Sequence, residues 1–174
     1  MDNFRDIFIS YGRADSKEFA TKLSQRLLSA NVTVWLDVND IPLGVDYQAQ
    51  IDRDLEGADN VLFVISPHSV NSPYCALELS HALQCNKRII PVLHVEEIER
   101  DTWKQRHPGA KDDDWQTFVA AGKHSSFSNM HPAIAKINWV YCREGIDDFE
   151  SAIAGIPLIS LTRIFVINQT VVLD

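Results

Sequence analysis

Short apolar, β-branched runs alternate along this chain with segments whose apolar residues recur every three or four positions. The runs 7–9, 32–36, 61–65, 88–95 and 137–141 read as strands, the third so continuously apolar that both of its faces must be covered. Between the first two, Phe19, Leu23 and Leu27 mark one stripe of a helix, with Asp15 and Glu18 spaced as a capping box and Asn31 as its end. A second helix starts near Asp46, buries Tyr47, Ile51 and Leu55, and stops at Gly57. Ser72 followed by Pro73 is an N-cap with proline at the first helical position. The helix it opens sets Tyr74, Cys75 and Glu78 on one face, with Leu77, Leu79 and Leu83 mostly elsewhere. Pro91 lacks an N–H and places an edge or bulge in the fourth strand, and Asp147 with Glu150 caps a last helix that buries Phe149 and Ile153. Strand and helix in alternation predict an α/β fold: a flavodoxin-like, five-stranded parallel sheet of order 2-1-3-4-5 with helices on both faces.

Composition narrows this picture. At 174 residues and 45% hydrophobic content, residues 1–156 suit one domain, and folding at this size buries about 70% of the unfolded surface. Residues 157–174 read as an extra strand or a connection toward a further domain. A membrane span there is disfavoured by Arg163, which costs about 2.5–3.5 kcal/mol at a bilayer centre, and by Pro157, Asn168 and Gln169. A net charge of −8 opposes nonspecific nucleic-acid binding. Cys75, Cys85 and Cys142 are an odd number without metal-ligand spacing, as expected of reduced thiols in a cytoplasmic protein, and the start carries no signal-peptide pattern. His107, His124 and His131 are equally irregular, so no metal is expected. They fall in a connection of about forty residues, long enough to carry structure of its own. It contains Trp103, the turn Pro108-Gly109, the acidic run Asp112 to Asp114 and a short helix bearing Trp115, Phe118 and Val119.

Open parallel sheets bind ligands beyond the carboxyl ends of their strands, where the strand order reverses. The segments leaving those ends, 10–13, 37–44 and 66–74, bring Arg13, Asp37 and Glu78 to one edge. A carboxylate beside aromatic rings at such an edge is a candidate for chemistry. The bland alternatives are definite: Glu78 as a charge near a helix N-terminus, worth about 0.3–1 kcal/mol, Arg13 as a solvated loop residue, Tyr74 as a core ring, and Asp37 as a turn cap. Ser69, Ser72 and Cys75 have no identifiable histidine partner, which argues against a Ser or Cys nucleophile. No G-x-G-x-x-G follows the first strand, so hydride transfer is not indicated. A phosphoacceptor receiver would need aspartate at the end of the third strand, where Ser66-Pro67 stands.

Three motifs stand in the order found in one family: Asp6-Ile-Phe-Ile-Ser-Tyr11, Trp35-Leu-Asp37 through Pro42-Leu43-Gly44, and Ser72-Pro-Tyr74-Cys75-Ala-Leu-Glu78-Leu79. Over roughly residues 4–155 the chain resembles Toll/interleukin-1 receptor (TIR) domains, especially bacterial, NAD-cleaving members. Tyr74 stands where tryptophan is usual, and Asn138-Trp139 where many members carry Phe-Trp. The resemblance implies that Glu78 is catalytic, and that Tyr11 and Tyr74 shape the base pockets. It places Arg13 at the phosphates, Asp37 at the adjacent ribose or as a loop anchor, and Gly44 and Ser66 in the substrate-binding set. It further implies that Ile41, Pro42 and Leu43 form a loop through which the domain self-associates. NAD would be substrate, with no resident cofactor. The expected function is NAD glycohydrolysis to ADP-ribose or a cyclic product, in bacterial immune or cell-death signalling. The alternative is a noncatalytic TIR scaffold for protein–protein signalling.

Overall fold

A computed structural model describes residues 5–36 and 46–157, together with the backbone of 166–167 and 170–171. The elements run β1 (Arg5–Ser10), α1 (Arg13–Ser29), β2 (Val34–Leu36), α2 (Tyr47–Glu56), β3 (Ala58–Ile65), α3 (Pro67–Val70), α4 (Pro73–Gln84) and β4 (Arg88–Leu93). They continue with α5 (Arg100–Arg106), α6 (Asp112–Ala120), α7 (Pro132–Ala135), β5 (Val140–Tyr141) and α8 (Phe149–Ile153). Five strands form one all-parallel sheet in the order β2-β1-β3-β4-β5, the expected flavodoxin-like topology.

Strand alternation divides the core into two layers. Ile7, Ile9, Leu62 and Val64 point to one face and pack with Leu23 and Leu27 of α1 and Ile153 of α8. Phe8, Val61, Phe63 and Ile65 point to the other, against Ile51 and Leu55 of α2 and Cys75 and Leu79 of α4. Because β1 and β3 are covered on both sides, residues 7–9 of the first and 61–65 of the second are apolar without interruption, the signature from which β3 was legible. Ile156, fully buried in the first layer, keeps the chain in the domain to that point. Beyond it, Val166–Ile167 and Thr170–Val171 form a small antiparallel pair, β6 and β7.

Several local expectations are revised. Helix α1 begins at Arg13 with Gly12 as N-cap and no side-chain cap, so Asp15 lies inside the first turn and is not the start of a capping box. The last helix is capped by Asp148, which accepts from the Ser151 N–H at 2.9 Å, while Asp147 pairs with Arg143. Tyr47 is partly exposed and stands apart from the buried stripe of Ile51 and Leu55. In α4 the pattern is inverted at two positions: Leu77 is 53% exposed and Glu78 only 8%. Pro91 pairs with Phe63 on β3, and β5, which pairs only with Val92 and Leu93, does not reach it, so the missing N–H falls on a stretch of β4 with a single neighbour. Asn31 ends α1's connection with φ of 60°, a left-handed conformation that asparagine tolerates.

Candidate active site

The chain leaving β1 passes close against α3 at Gly12, where a Cβ would meet the backbone nitrogen of Ser69 at 2.7 Å and the His68 Cβ at 2.8 Å. Only glycine lets the β1–α1 turn lie against α3. Asp15 then ties the two together: Oδ1 accepts from the hydroxyls of Ser66 at 2.7 Å and Ser16 at 2.9 Å, and Oδ2 accepts from the His68 N–H at 3.1 Å. Ser66 is fully buried as the N-cap of α3, its hydroxyl accepting from the Ser69 N–H. Its place is therefore beneath the site, and the expectation that it touches substrate is revised.

Above this floor opens a cavity of about 720 Å³ at the carboxyl ends of β1 and β3, lined among others by Tyr11, Arg13, Tyr74, Cys75 and Glu78. The Ser72 hydroxyl caps α4 by accepting from the Cys75 N–H at 3.3 Å, and Pro73 fixes the first turn. One turn later α4 delivers Glu78 to the cavity, where the Ser10 hydroxyl at the end of β1 donates to its Oε2 at 2.5 Å. This bond, across 68 residues of sequence, sets the orientation of the carboxylate.

The neighbouring groups divide into a dry wall and a polar mouth. Cys75 is buried, donates to the Tyr11 carbonyl at 3.5 Å, and has its thiol pKa pushed up to about 11, first by burial and then by the charge of Glu78. Burial and that charge both disfavour the thiolate, the nucleophilic form of the side chain. At the mouth, Arg13 donates to the Tyr47 hydroxyl at 3.0 Å, and the rings of Tyr47 and Tyr74 meet edge to face at 6.4 Å. Tyr74 is 63% exposed. It is a ring at the rim rather than in the core. His68 has its pKa lowered, chiefly by burial and with help from Arg106 and His107 against the opposing Asp15, and its Nε2 lies 3.4 Å from an Arg106 Nη. It is held neutral, with the guanidinium donating.

Sequence reasoning thus located Tyr11, Arg13, Tyr74 and Glu78 at one cavity. Asp37, Gly44, Ile41, Pro42 and Leu43 lie outside the described residues. Ser10, Tyr47, His68, Phe118 and Lys123 were missed as parts of the site. Ser10 could have been found as the last residue of β1 before the crevice. Phe118 and Lys123 come from the long connection, whose packing leaves no local pattern. That connection carries an aromatic cluster in which Trp103 packs on His107, Trp115 and Phe118. Among the described residues, the one convergence of metal-ligating side chains lies away from the cavity, at the far end of α4.

The chain is an open, doubly wound α/β domain with a buried carboxylate at its topological switch. The family follows directly: residues 7–119 match the model of the TIR domain, and the chain belongs to the TIR domain family. It is 27% identical over 93 residues to the 2' cyclic ADP-D-ribose synthase BtTIR of Bacteroides thetaiotaomicron, a match covering 51% of this chain and 32% of that protein. The shared part is thus about a third of that relative's length. The fold is also that of the TIR domains in the activated Roq1 resistosome recognising the pathogen effector XopQ (TM-score 0.58, 15% identity, covering 87% of this chain and 96% of the other). A metazoan TIR-STING receptor from C. gigas in complex with 2',3'-cGAMP matches equally well (TM-score 0.58, 18% identity, covering 90% of this chain and 40% of the other).

Proposed function

We propose that the chain is an NAD-cleaving enzyme that breaks the bond between nicotinamide and ribose, with Glu78 as its catalytic residue. The observation that carries this reading is a buried carboxylate aimed into a cavity and oriented by Ser10, at the end of the sheet where such folds take ligands. The activity named for BtTIR supports it.

In NAD the nicotinamide ring nitrogen is already cationic. When the glycosidic bond breaks, its electron pair moves to that nitrogen and nicotinamide leaves neutral, so no general acid is required. Positive charge develops on the ribose as an oxocarbenium ion, and a fixed carboxylate in a poorly hydrated site stabilises it. Glu78 supplies that charge. Capture by water, with loss of a proton to solvent, yields ADP-ribose. Capture by a hydroxyl of the same molecule yields a cyclic ADP-ribose. Tyr11 and Tyr74 bound the base pockets in this reading, Arg13 meets the phosphates, Asp37 meets the adjacent ribose, and Gly44 belongs to the substrate-binding set. No resident cofactor takes part.

The proposed setting is bacterial immune or cell-death signalling in the cytoplasm. Self-association through Ile41, Pro42 and Leu43 would complete the site, and an apolar segment on an acidic protein suits such docking. Incubating the concentrated chain with NAD and following nicotinamide by chromatography tests the proposal. Release by the wild type and none by Glu78→Ala is the expected result, with specific activity rising with protein concentration. Absence of cleavage at every concentration replaces the enzyme by the scaffold. Cleavage with flat specific activity on dilution of a monomer removes self-association alone.

A further inference from the structure

At the far end of α4, a group unconnected with the cavity brings three different metal-ligating atoms together. His81 and Cys85 are four residues apart and share a helical face, while Glu56 is the last residue of α2. The Nε2 of His81 lies 3.0 Å from the Glu56 Oε1 and 3.7 Å from the Cys85 Sγ, and the three ligand atoms all fall within 4.8 Å of one another. We propose that Glu56, His81 and Cys85 form a metal site for a zinc-like divalent cation, which braces α2 against α4.

The spacing fits the ion. Around tetrahedral zinc, with bonds of about 2.0–2.3 Å, neighbouring ligand atoms stand about 3.3–3.7 Å apart; both His81 distances lie close to that range, and rotation of the exposed Glu56 side chain would bring in the third, which is within 4.8 Å. A histidine–glutamate pair by itself requires no thiol. Here the same imidazole nitrogen faces both a carboxylate oxygen and a sulfur, the arrangement three ligands adopt around a shared centre. The donor set selects the metal: thiolate and imidazole favour zinc or cobalt over magnesium or calcium, which prefer oxygen. Three protein ligands leave a fourth position for water.

The surroundings also favour a cation. The C-terminal ends of α2 and α4 meet at this point, and each carries partial negative charge on its last carbonyls. The Lys87 ammonium donates to the carbonyl of Glu56 at the end of α2 and to that of Ala58 at the start of β3, both at 2.7 Å. It thereby pins the end of α2 where the Glu56 side chain can reach His81. Glu56 is exposed and the other two half-buried, so an ion has an open entry path. A metal here would lock α2, which follows residues 37–45 in sequence, to the helix that carries Glu78, one turn before His81. Binding displaces the thiol proton, so affinity should rise with pH.

The test is titration of the purified chain with Co²⁺, read by absorption. Tetrahedral cobalt bound to thiolate gives a charge-transfer band in the near ultraviolet and d–d bands in the visible. The expectation is saturation at one equivalent and bleaching on addition of Zn²⁺. The charge-transfer band should be lost in Cys85→Ser and retained in Cys142→Ser, and Glu56→Gln should weaken cobalt affinity by about 10-fold or more. Zn²⁺ should raise the thermal midpoint of the wild type and leave that of His81→Ala unmoved. All three ligands are at the surface, and circular dichroism checks that each variant is folded. A wild type without a thiolate band at any cobalt concentration overturns the proposal, as does a band that survives Cys85→Ser. None of these readouts depends on NAD cleavage, so the metal site and the proposed activity stand or fall separately.

Discussion

Asp15 and Glu78 are carboxylates brought to the same edge of the sheet by two helices, and the structure uses them in opposite ways. Asp15, in the first turn of α1, accepts from two hydroxyls and a backbone N–H, and those bonds join the β1–α1 turn to α3. Glu78, one turn into α4, is oriented by the Ser10 hydroxyl and lines the cavity. A carboxylate whose bonds go to the chain's own turns is a structural fastener. A carboxylate aimed by the fold into a cavity can act on what enters it. Sequence position alone suggested the reverse emphasis for neither: both read as acids near helix starts.

The sharpest way to break the comparison is to remove each charge in turn. Glu78→Gln keeps the shape and hydrogen-bonding length of the side chain, so the thermal midpoint should hold. NAD cleavage should fall by about 100-fold or more, the scale of losing one preorganised electrostatic stabiliser. Unchanged turnover in a nicotinamide-release assay would reduce Glu78 to a second structural acid.

Asp15→Ala should do the opposite. Leaving the Ser66 hydroxyl and the His68 N–H without their acceptor is expected to cost about 2 kcal/mol in urea denaturation, with nicotinamide release per folded molecule affected less than in Glu78→Gln. If activity fell as far while stability held, Asp15 would belong to the chemistry.

Gly12→Ala probes the joint that Asp15 fastens. Its Cβ would press on the Ser69 backbone, which cannot rotate away, so a loss of about 1–2 kcal/mol is expected. An equally stable variant would mean that α3 shifts freely against α1.

The smallest expected effect is one of pH. Burial lowers the pKa of His94, whose ring stacks on Phe19 at 3.9 Å, and also that of His68. Below the ordinary histidine value of 6.5 the unfolded chain therefore binds more protons than the native one. Stability is full above that value and is lost as pH falls through the depressed native values. Replacing His94 by Phe preserves the stack and removes one such group. The difference in urea midpoint between about pH 7.5 and about pH 5.5 should shrink by less than about 1 kcal/mol equivalent. No change would place the titrating burden elsewhere.

The layout of the domain was legible because its signals are local. The apolar run of β3, the Ser72-Pro73 start of α4 and the stripe of Leu23 and Leu27 each follow from the period of the element that carries them. The caps were harder. Asp15 with Glu18, and Asp147 with Glu150, have the spacing of capping boxes, but Asp15 is claimed by Ser66 and His68 at α3 and Asp147 by Arg143 four residues before it. Arg143 holds Asp147 with bonds of 2.8 and 3.2 Å, which leaves the N-cap to Asp148. Spacing cannot tell which nearby acid another side chain, local or remote, will recruit.

The site divides along the same line. Glu78 was found through its helix and the motif around it, whereas its burial ran against hydropathy, since Leu77 beside it is the exposed residue. Cys85 was dismissed as a ligand because its partners form no spaced motif, and only the packing of α2 on α4 brings Glu56 to His81. By itself the sequence determined the alternation of strands and helices, the strand order and the sheet edge to which Tyr11, Arg13, Tyr74 and Glu78 come. These rest on periodicity and on the rules that govern parallel sheets. The tertiary structure decided which acids fasten and which face the cavity, and which side chains from remote segments share a centre. Those outcomes depend on distances between residues that the chain separates by tens of positions.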